Sequence, residues 1–436
     1  MTLDNRKQSI IMLTVVNYRT NQMKSINSTP LILLLSSCIL SAPIQATAQD
    51  QDIAAEGPKA ETSMPPWPPE GFSALWLNNI GFQKSTQTMQ RGFYSGFRPL
   101  NTDHSGRMQN AFILNYKKGN WSAMVDYLDL RSLGGNSAYS LTNPFSNGVN
   151  TFEYDGQFKN VDALSGIYEL ALTYDDGSNF ISIGKLDTSI YYLADPIFAG
   201  DLFHGVDYSN CATRVVAPPF PSLAAVLRKT FKSGWSVTGI VGDAFGDRET
   251  LSAGKNLKHG DMSYVFEVNY QSPKTHFQAT FNHVDNFKHM DKDSPSMPGM
   301  GFGSAFNAGM VTVSHKLNPN WAFYTRWSWA DGKDVTENFD ILGGVRFDYK
   351  DFYVLASQSG ARVKKDVFGT KVKGGDWTLI TELSLNYKVT PFTTLGLTWD
   401  MYNTTGDQLL PKDGGVNGAK HNHVFGIRAT TMLPIH

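Results

Sequence analysis

From about residue 87 onward, apolar and polar side chains alternate with a period of two, the mark of strands whose two faces meet different surroundings. In "SYVFEVNY" one face takes Tyr264, Phe266, Val268 and Tyr270, and the other takes Ser263, Val265, Glu267 and Asn269. "NWAFYTRWSW" sets Trp321, Phe323, Trp327 and Trp329 against Tyr324, Arg326 and Ser328. The same reading along the chain predicts sixteen strands, at 87–96, 108–116, 120–129, 162–174, 178–186, 222–232, 234–243, 260–270, 274–283, 303–316, 320–330, 339–348, 351–358, 376–388, 391–402 and 421–432.

The connections between these strands fall into two kinds. Seven are short polar turns such as "KSG", "QSPK" and "NPN", and they alternate strictly with eight longer ones of about 8 to 35 residues. One end of the body therefore carries tight turns, and the other carries long loops. An even strand number with loop length segregated by end is how a transmembrane antiparallel β-barrel is built, with short periplasmic turns and long extracellular loops. The expected fold is all-β, with one barrel over 87–436.

Aromatic side chains flank the short turns. Phe231 and Trp235 bracket "KSG"; Tyr270, Trp321, Tyr387 and Phe392 stand at four other turn-side strand ends. At a membrane–water boundary such rings bury their bodies in hydrocarbon and keep an edge in the polar zone. These six residues are the expected periplasmic girdle.

Composition agrees, with 39 Gly, 27 Phe, 18 Tyr and 9 Trp in 436 residues, a usage that favours strands and turns. A formal net charge of −1 excludes a nucleic-acid binder of the usual basic kind. The first 48 residues resemble an export signal: Lys24 supplies the positive region, "PLILLLSSCIL" the apolar region and "ATA" the cleavage site. Met23 is an alternative start. "LSSC" also fits a lipidation site at Cys38 loosely, though "ATA" lies at the better distance. Residues 49–86 read as a proline-rich lead-in, and cleavage after "ATA" leaves Cys211 without an intramolecular disulfide partner.

If the apolar phase faces lipid, the other phase lines a water-filled lumen. Asp126, Glu169, Arg228, Glu267, Arg326, Arg346, Asp348, Glu382, Asp400 and Arg428 all fall on that polar phase. Lys185 breaks the rule by sharing phase with Ile181 and Ile183, which asks for a bulge or a rim position. The connection 187–221 is long and aromatic enough to do more than join strands. Folded inward, it would offer Tyr191 and Tyr192 to the C–H faces of a sugar and Asp187, Asp195 and Arg214 to hydroxyls; packed on its own aromatics outside the pore, it would do neither. Arg131 marks the base of a second long loop, 130–161. The candidate constriction residues are thus Asp187, Tyr191, Tyr192, Asp195, Arg214, Arg131, Arg228, Glu267, Arg326 and Arg346.

No nucleophile elbow, zinc helix motif, phosphate loop or Cys pair is present, so the sequence asks for no catalytic machinery, cofactor or metal. His283 and His289 in "NHVDNFKHMDKD" read as parts of a solvated loop. Three segments carry a family resemblance: "ISIGKLDTSIYYLADPIF", "SLAAVLRKTFKSGWSVTGIVGDAFGD" and the closing "TELSLNYKVTPFTTLGLTWDMYNTTGD" with "HVFGIRAT". They resemble the carbohydrate-selective porins, the OprB family of bacterial outer membranes. The resemblance implies a sixteen-stranded barrel that passes glucose and related sugars passively, with outer loops folded in to narrow the lumen. Its partners are small sugars and outer-membrane lipid; a monomer and a homotrimer both stay open. One departure from the family is the ending "TTMLPIH", which lacks the usual terminal aromatic.

Overall fold

The computed structural model describes residues 71–85, 104–135, 163–192, 195, 221–244, 254, 257–285, 305–332, 337–363, 366–367, 370–371, 377–403 and 422–435. In chain order the strands are β1 (Phe72–Ser85), β2 (His104–Lys118), β3 (Trp121–Gly135), β4 (Ala163–Asp175), β5 (Asn179–Leu186), β6 (Ser222–Thr230), β7 (Trp235–Asp243), β8 (Met262–Gln271) and β9 (Thr275–Val284). They continue with β10 (Phe306–Lys316), β11 (Trp321–Gly332), β12 (Glu337–Tyr349), β13 (Phe352–Val363), β14 (Asp366–Val367), β15 (Thr370–Lys371), β16 (Trp377–Thr390), β17 (Thr393–Asn403) and β18 (Asn422–Ile435). Sixteen of these pair antiparallel into one closed barrel, in which β18 returns to β1 through a register running from Ala74↔Ile435 to Ser85↔Val424. The short β14–β15 hairpin stands apart from it.

Fifteen predicted strands overlap observed ones. The first does not: β1 lies at Phe72–Ser85, inside the segment read as lead-in, and 87–96 lies outside the described residues, as do residues 1–70 and the export signal expected there. Alternation is blurred in β1. Leu75 and Leu77 stand on the inward phase, while the outward phase carries Asn78. Its amide donates to Asn110 Oδ1 (2.7 Å) on the neighbouring strand, as the Trp76 indole also does (3.4 Å), so the two outward Asn satisfy each other. Gln358 and Thr381 on β13 and β16 make a similar outward pair (3.2 Å). Polar groups facing hydrocarbon have no other source of partners.

The exposed large side chains form a continuous outward phase: Phe112 and Leu114 on β2, Leu170 and Leu172 on β4, Leu395 and Leu397 on β17, Phe425 and Ile427 on β18. Opposite them, the buried set is polar, with Ser182, Thr238, Asn282, Ser328, Ser384 and Asn386 among its members. A soluble body inverts this order. The barrel therefore wears its apolar face outward, where lipid solvates it, and holds its polar face inside. No helix among the described residues is long and apolar enough to span a membrane, and none is needed.

The girdle stands as expected. Phe231, Trp235, Trp321, Tyr387 and Phe392 are exposed at the short-turn end, and Tyr270 packs its ring 5.1 Å from that of Trp235. Neighbouring rings extend the belt, with Phe72 beside Tyr116 (4.6 Å) and Phe352 beside Tyr387 (4.5 Å). One long connection departs from expectation: β11 and β12 run on until only 333–336 separate them.

Lys185 is explained by a bulge. Between Asp126↔Glu169 and Tyr127↔Ile167 the register skips Tyr168, so β4 carries one extra residue. The Ile167 carbonyl accepts from Lys185 Nζ (2.5 Å). Gly184 makes the approach feasible. Its φ of +152° is a glycine conformation, and an added Cβ would lie 1.9 Å from the Leu170 carbonyl oxygen.

At the turn 175–179, Asp176 accepts from the Asn179 amide, the Asn179 backbone N–H (2.6 Å) and the Ser178 N–H (2.9 Å), which together hold its carboxyl well below the usual range. A depressed folded-state value means that this turn contributes stability above the unfolded-state value, near pH 4, and loses it as the pH falls further. Asp176→Ala should therefore narrow the stability difference between pH 7 and pH 3 in urea titrations. In the same assay Gly184→Ala should weaken the barrel by roughly 1–3 kcal/mol, whereas Gly239→Ala, with nothing within 4 Å of the added Cβ, should leave it unchanged.

Candidate pore constriction

The segment after β5 is set by the bulge. With Tyr168 inserted, both Tyr168 and Glu169 reach Asp187: the Tyr168 hydroxyl donates to Asp187 Oδ2 (2.7 Å), and the Asp187 N–H donates to Glu169 Oε1 (2.8 Å). Asp187 in turn caps the single 3-10 turn Thr188–Tyr191, its Oδ1 accepting from the Ser189 N–H (3.0 Å) and hydroxyl. The chain is thereby directed back along the inside of the barrel.

Two contacts fix that course. The Tyr191 ring lies 5.9 Å from Phe180, the second residue of β5, so the chain has returned toward the short-turn end. Asp195 Oδ2 then lies 2.8 Å from Nδ1 of His276, the second residue of β9 and four strands around the wall. Both side chains of this pair are almost wholly buried, at 1% and 2% exposure. Asn269 Nδ2 donates to His276 Nε2 (2.9 Å), which leaves Nδ1 to carry the proton toward the carboxylate.

Beside this segment the wall is a chain of polar bonds. The Arg228 guanidinium sits over Phe180 (5.6 Å) and Tyr191 (5.8 Å), while its Nε donates to Thr238 Oγ1 (3.1 Å). Thr238 donates to Glu267 Oε1 (3.2 Å), and Gln278 Nε2 donates to Glu267 Oε2 (2.5 Å). Tyr192 is fully buried. The result is a cluster of two aromatic rings and one guanidinium beside the inward segment, backed by the buried Thr238, Glu267 and Gln278.

The other candidates divide. Arg326 is buried on β11 and donates to Asp340 Oδ2 (3.2 Å) and to the Tyr324 hydroxyl (3.4 Å), so it is built into the wall. Arg346 makes a two-pronged contact with Asp348 (2.7 and 2.8 Å) and lies over Tyr353 (4.8 Å). Arg131 is a correction. It shares the outward phase of β3 with Trp121, Tyr127 and Leu133, and pairs with Asp129 (2.8 Å) at the long-loop end, outside the pore. Arg214 lies outside the described residues. His283, read as a loop residue, closes β9, bonded to Asn307 (2.8 Å) and Asp285 (3.2 Å). His276 was not anticipated, because a lone His on the polar phase of a strand carries no signal of a partner 81 residues away.

A closed sixteen-strand antiparallel barrel, with 187–192 and 195 against its inner wall, is an architecture of the porin kind. Among solved structures the chain is similar to the high-pH structure of Pseudomonas putida OprB, with a TM-score of 0.54 and 10% identity over 83% of this chain and 94% of that one. A triple mutant of Rhodopseudomonas blastica porin aligns with a TM-score of 0.46 and 10% identity, over 83% of this chain and 100% of that one. No family model and no curated protein matches the sequence. The OprB likeness carries the fold.

The Asp195–His276 contact gives a direct prediction. His276→Ala removes one charge-assisted hydrogen bond from a buried carboxylate, a loss of about 1.5–3 kcal/mol, which loosens the segment from the wall. In planar bilayers the variant should show larger and noisier single-channel steps than wild type. Steps of unchanged size and noise would mean that this contact does not hold the constriction.

Proposed function

We propose that the chain is an outer-membrane porin of a Gram-negative bacterium through which small sugars diffuse passively, narrowed by the connection 187–221. The observation that carries this reading is the course of 187–195 along the inner wall, held at Asp187 and at Asp195–His276. Residues 1–48 direct export, and Arg214 adds a hydroxyl-binding group further along the same connection. Sugar chemistry suits the surface: Tyr191 and Phe180 are aromatic rings suited to C–H groups, and the half-buried Arg228 donates to hydroxyls, held from behind by Thr238 and the buried Glu267. Contacts of this kind are individually weak, and a conducting site must release its solute as readily as it admits it. The OprB resemblance of "ISIGKLDTSIYYLADPIF" supports the same solute class.

Liposome swelling tests the proposal. Glucose should enter faster than a non-sugar solute of equal size, and its rate should saturate. Arg214→Ala should change sugar flux without altering barrel assembly. Equal, unsaturated rates for both solutes would replace this reading with a general or ion-preferring porin on the same barrel.

A further inference from the structure

The wall that carries Asp187 also holds an unresolved electrostatic conflict. Asp126 on β3 stands directly opposite Glu169 on β4 in the antiparallel register, and both are buried. Like charges so placed repel across a gap of about 5 Å. Asp187 acts on both as a third negative charge. Its own oxygens are occupied by Tyr168 and Ser189, so it offers no relief. Among the described residues Lys185 acts on Glu169 as a compensating ammonium, and it also donates to the Ile167 carbonyl. Were all three carboxyls ionised, three negative charges against one ammonium would leave 1 − 3 = −2 at the root of the inward segment, so the site calls for a proton or a cation.

A second observation singles out one member. Asp126 is 93% buried (7% exposed), and its Oδ1 has no hydrogen-bond partner. An ionised oxygen in that position lacks both water and a donor, so a folded protein either keeps it protonated or supplies a cation to it. We propose that Asp126 and Glu169, with Asp187 behind them, hold one hydrated divalent cation of the calcium kind on the lumen wall. The donors available are oxygens alone, which selects a hard cation over zinc or copper. No three His, Cys, Asp or Glu side chains among the described residues are placed to hold a metal ion together, so Asp126 and Glu169 are the two protein ligands and Asp187 contributes charge alone. Water therefore completes the shell, as calcium's six to eight irregular positions allow. The ion bridges β3 to β4 beside the bulge and neutralises the anchor from which 187–195 starts.

The test uses the full chain refolded in detergent, with terbium as the probe. Wild type should give a saturable luminescence signal at one ion per chain, competed by calcium. Asp126→Asn, which keeps shape and removes charge, should abolish it; Asp348→Asn, within the Arg346 pair, should leave it intact. Glu169→Gln provides the same reading should Asp126→Asn fail to fold. Absence of saturable binding in wild type, or binding that survives both Asp126→Asn and Glu169→Gln, would overturn the site and leave a shared proton as the way the opposed carboxyls coexist.

Discussion

Closure of the sheet is the constraint on which everything else rests. An open sheet leaves a row of backbone N–H and C=O groups at each edge, and hydrocarbon offers them nothing. Pairing β1 with β18 removes both edges at once, and every strand then has one face toward the lumen and one toward the outside. Period-two alternation follows as a necessity rather than a preference. So do the turn-side aromatics, since each strand crosses the same two interfaces at the same heights.

Closure also creates an interior that must be furnished. Sixteen strands enclose a space too wide for side chains alone to fill, and residues 187–192 and 195 lie against its inner wall. The device is local. One extra residue in β4, Tyr168, brings two side chains onto Asp187, and Asp187 starts the turn that sends the chain inward. At Asp195 the segment meets an imidazole on β9. Between them, Arg228, Thr238, Glu267 and Gln278 are bonded into one chain within the wall.

What could be read from the amino acids follows from how local each feature is. Strand positions, the girdle and the split between short and long connections depend on neighbouring residues and were legible at fifteen strands. β1 escaped because Leu75 and Leu77 stand on its inward phase and Asn78 on its outward phase, an arrangement made tolerable by Asn110 on the next strand. Lys185 could be recognised as an anomaly, but its resolution needs Ile167, 18 residues earlier and across a strand pair. Arg131 was misplaced because it was counted with the loop at 130–161, whereas β3 continues through it with its alternation intact. The Asp195–His276 contact is the extreme case, since nothing in "THFQATFNH" announces a partner on another loop.

The most direct test of the account is to ask what solvates each face. Spin labels at Leu397→Cys and Thr398→Cys, adjacent on β17, should report opposite surroundings in proteoliposomes. The label at 397 should collide with dissolved oxygen and stay shielded from an aqueous nickel chelate, and the label at 398 should do the reverse. Nickel access at both positions, with the chain remaining in solution without detergent, would contradict a lipid-facing exterior and with it the pore.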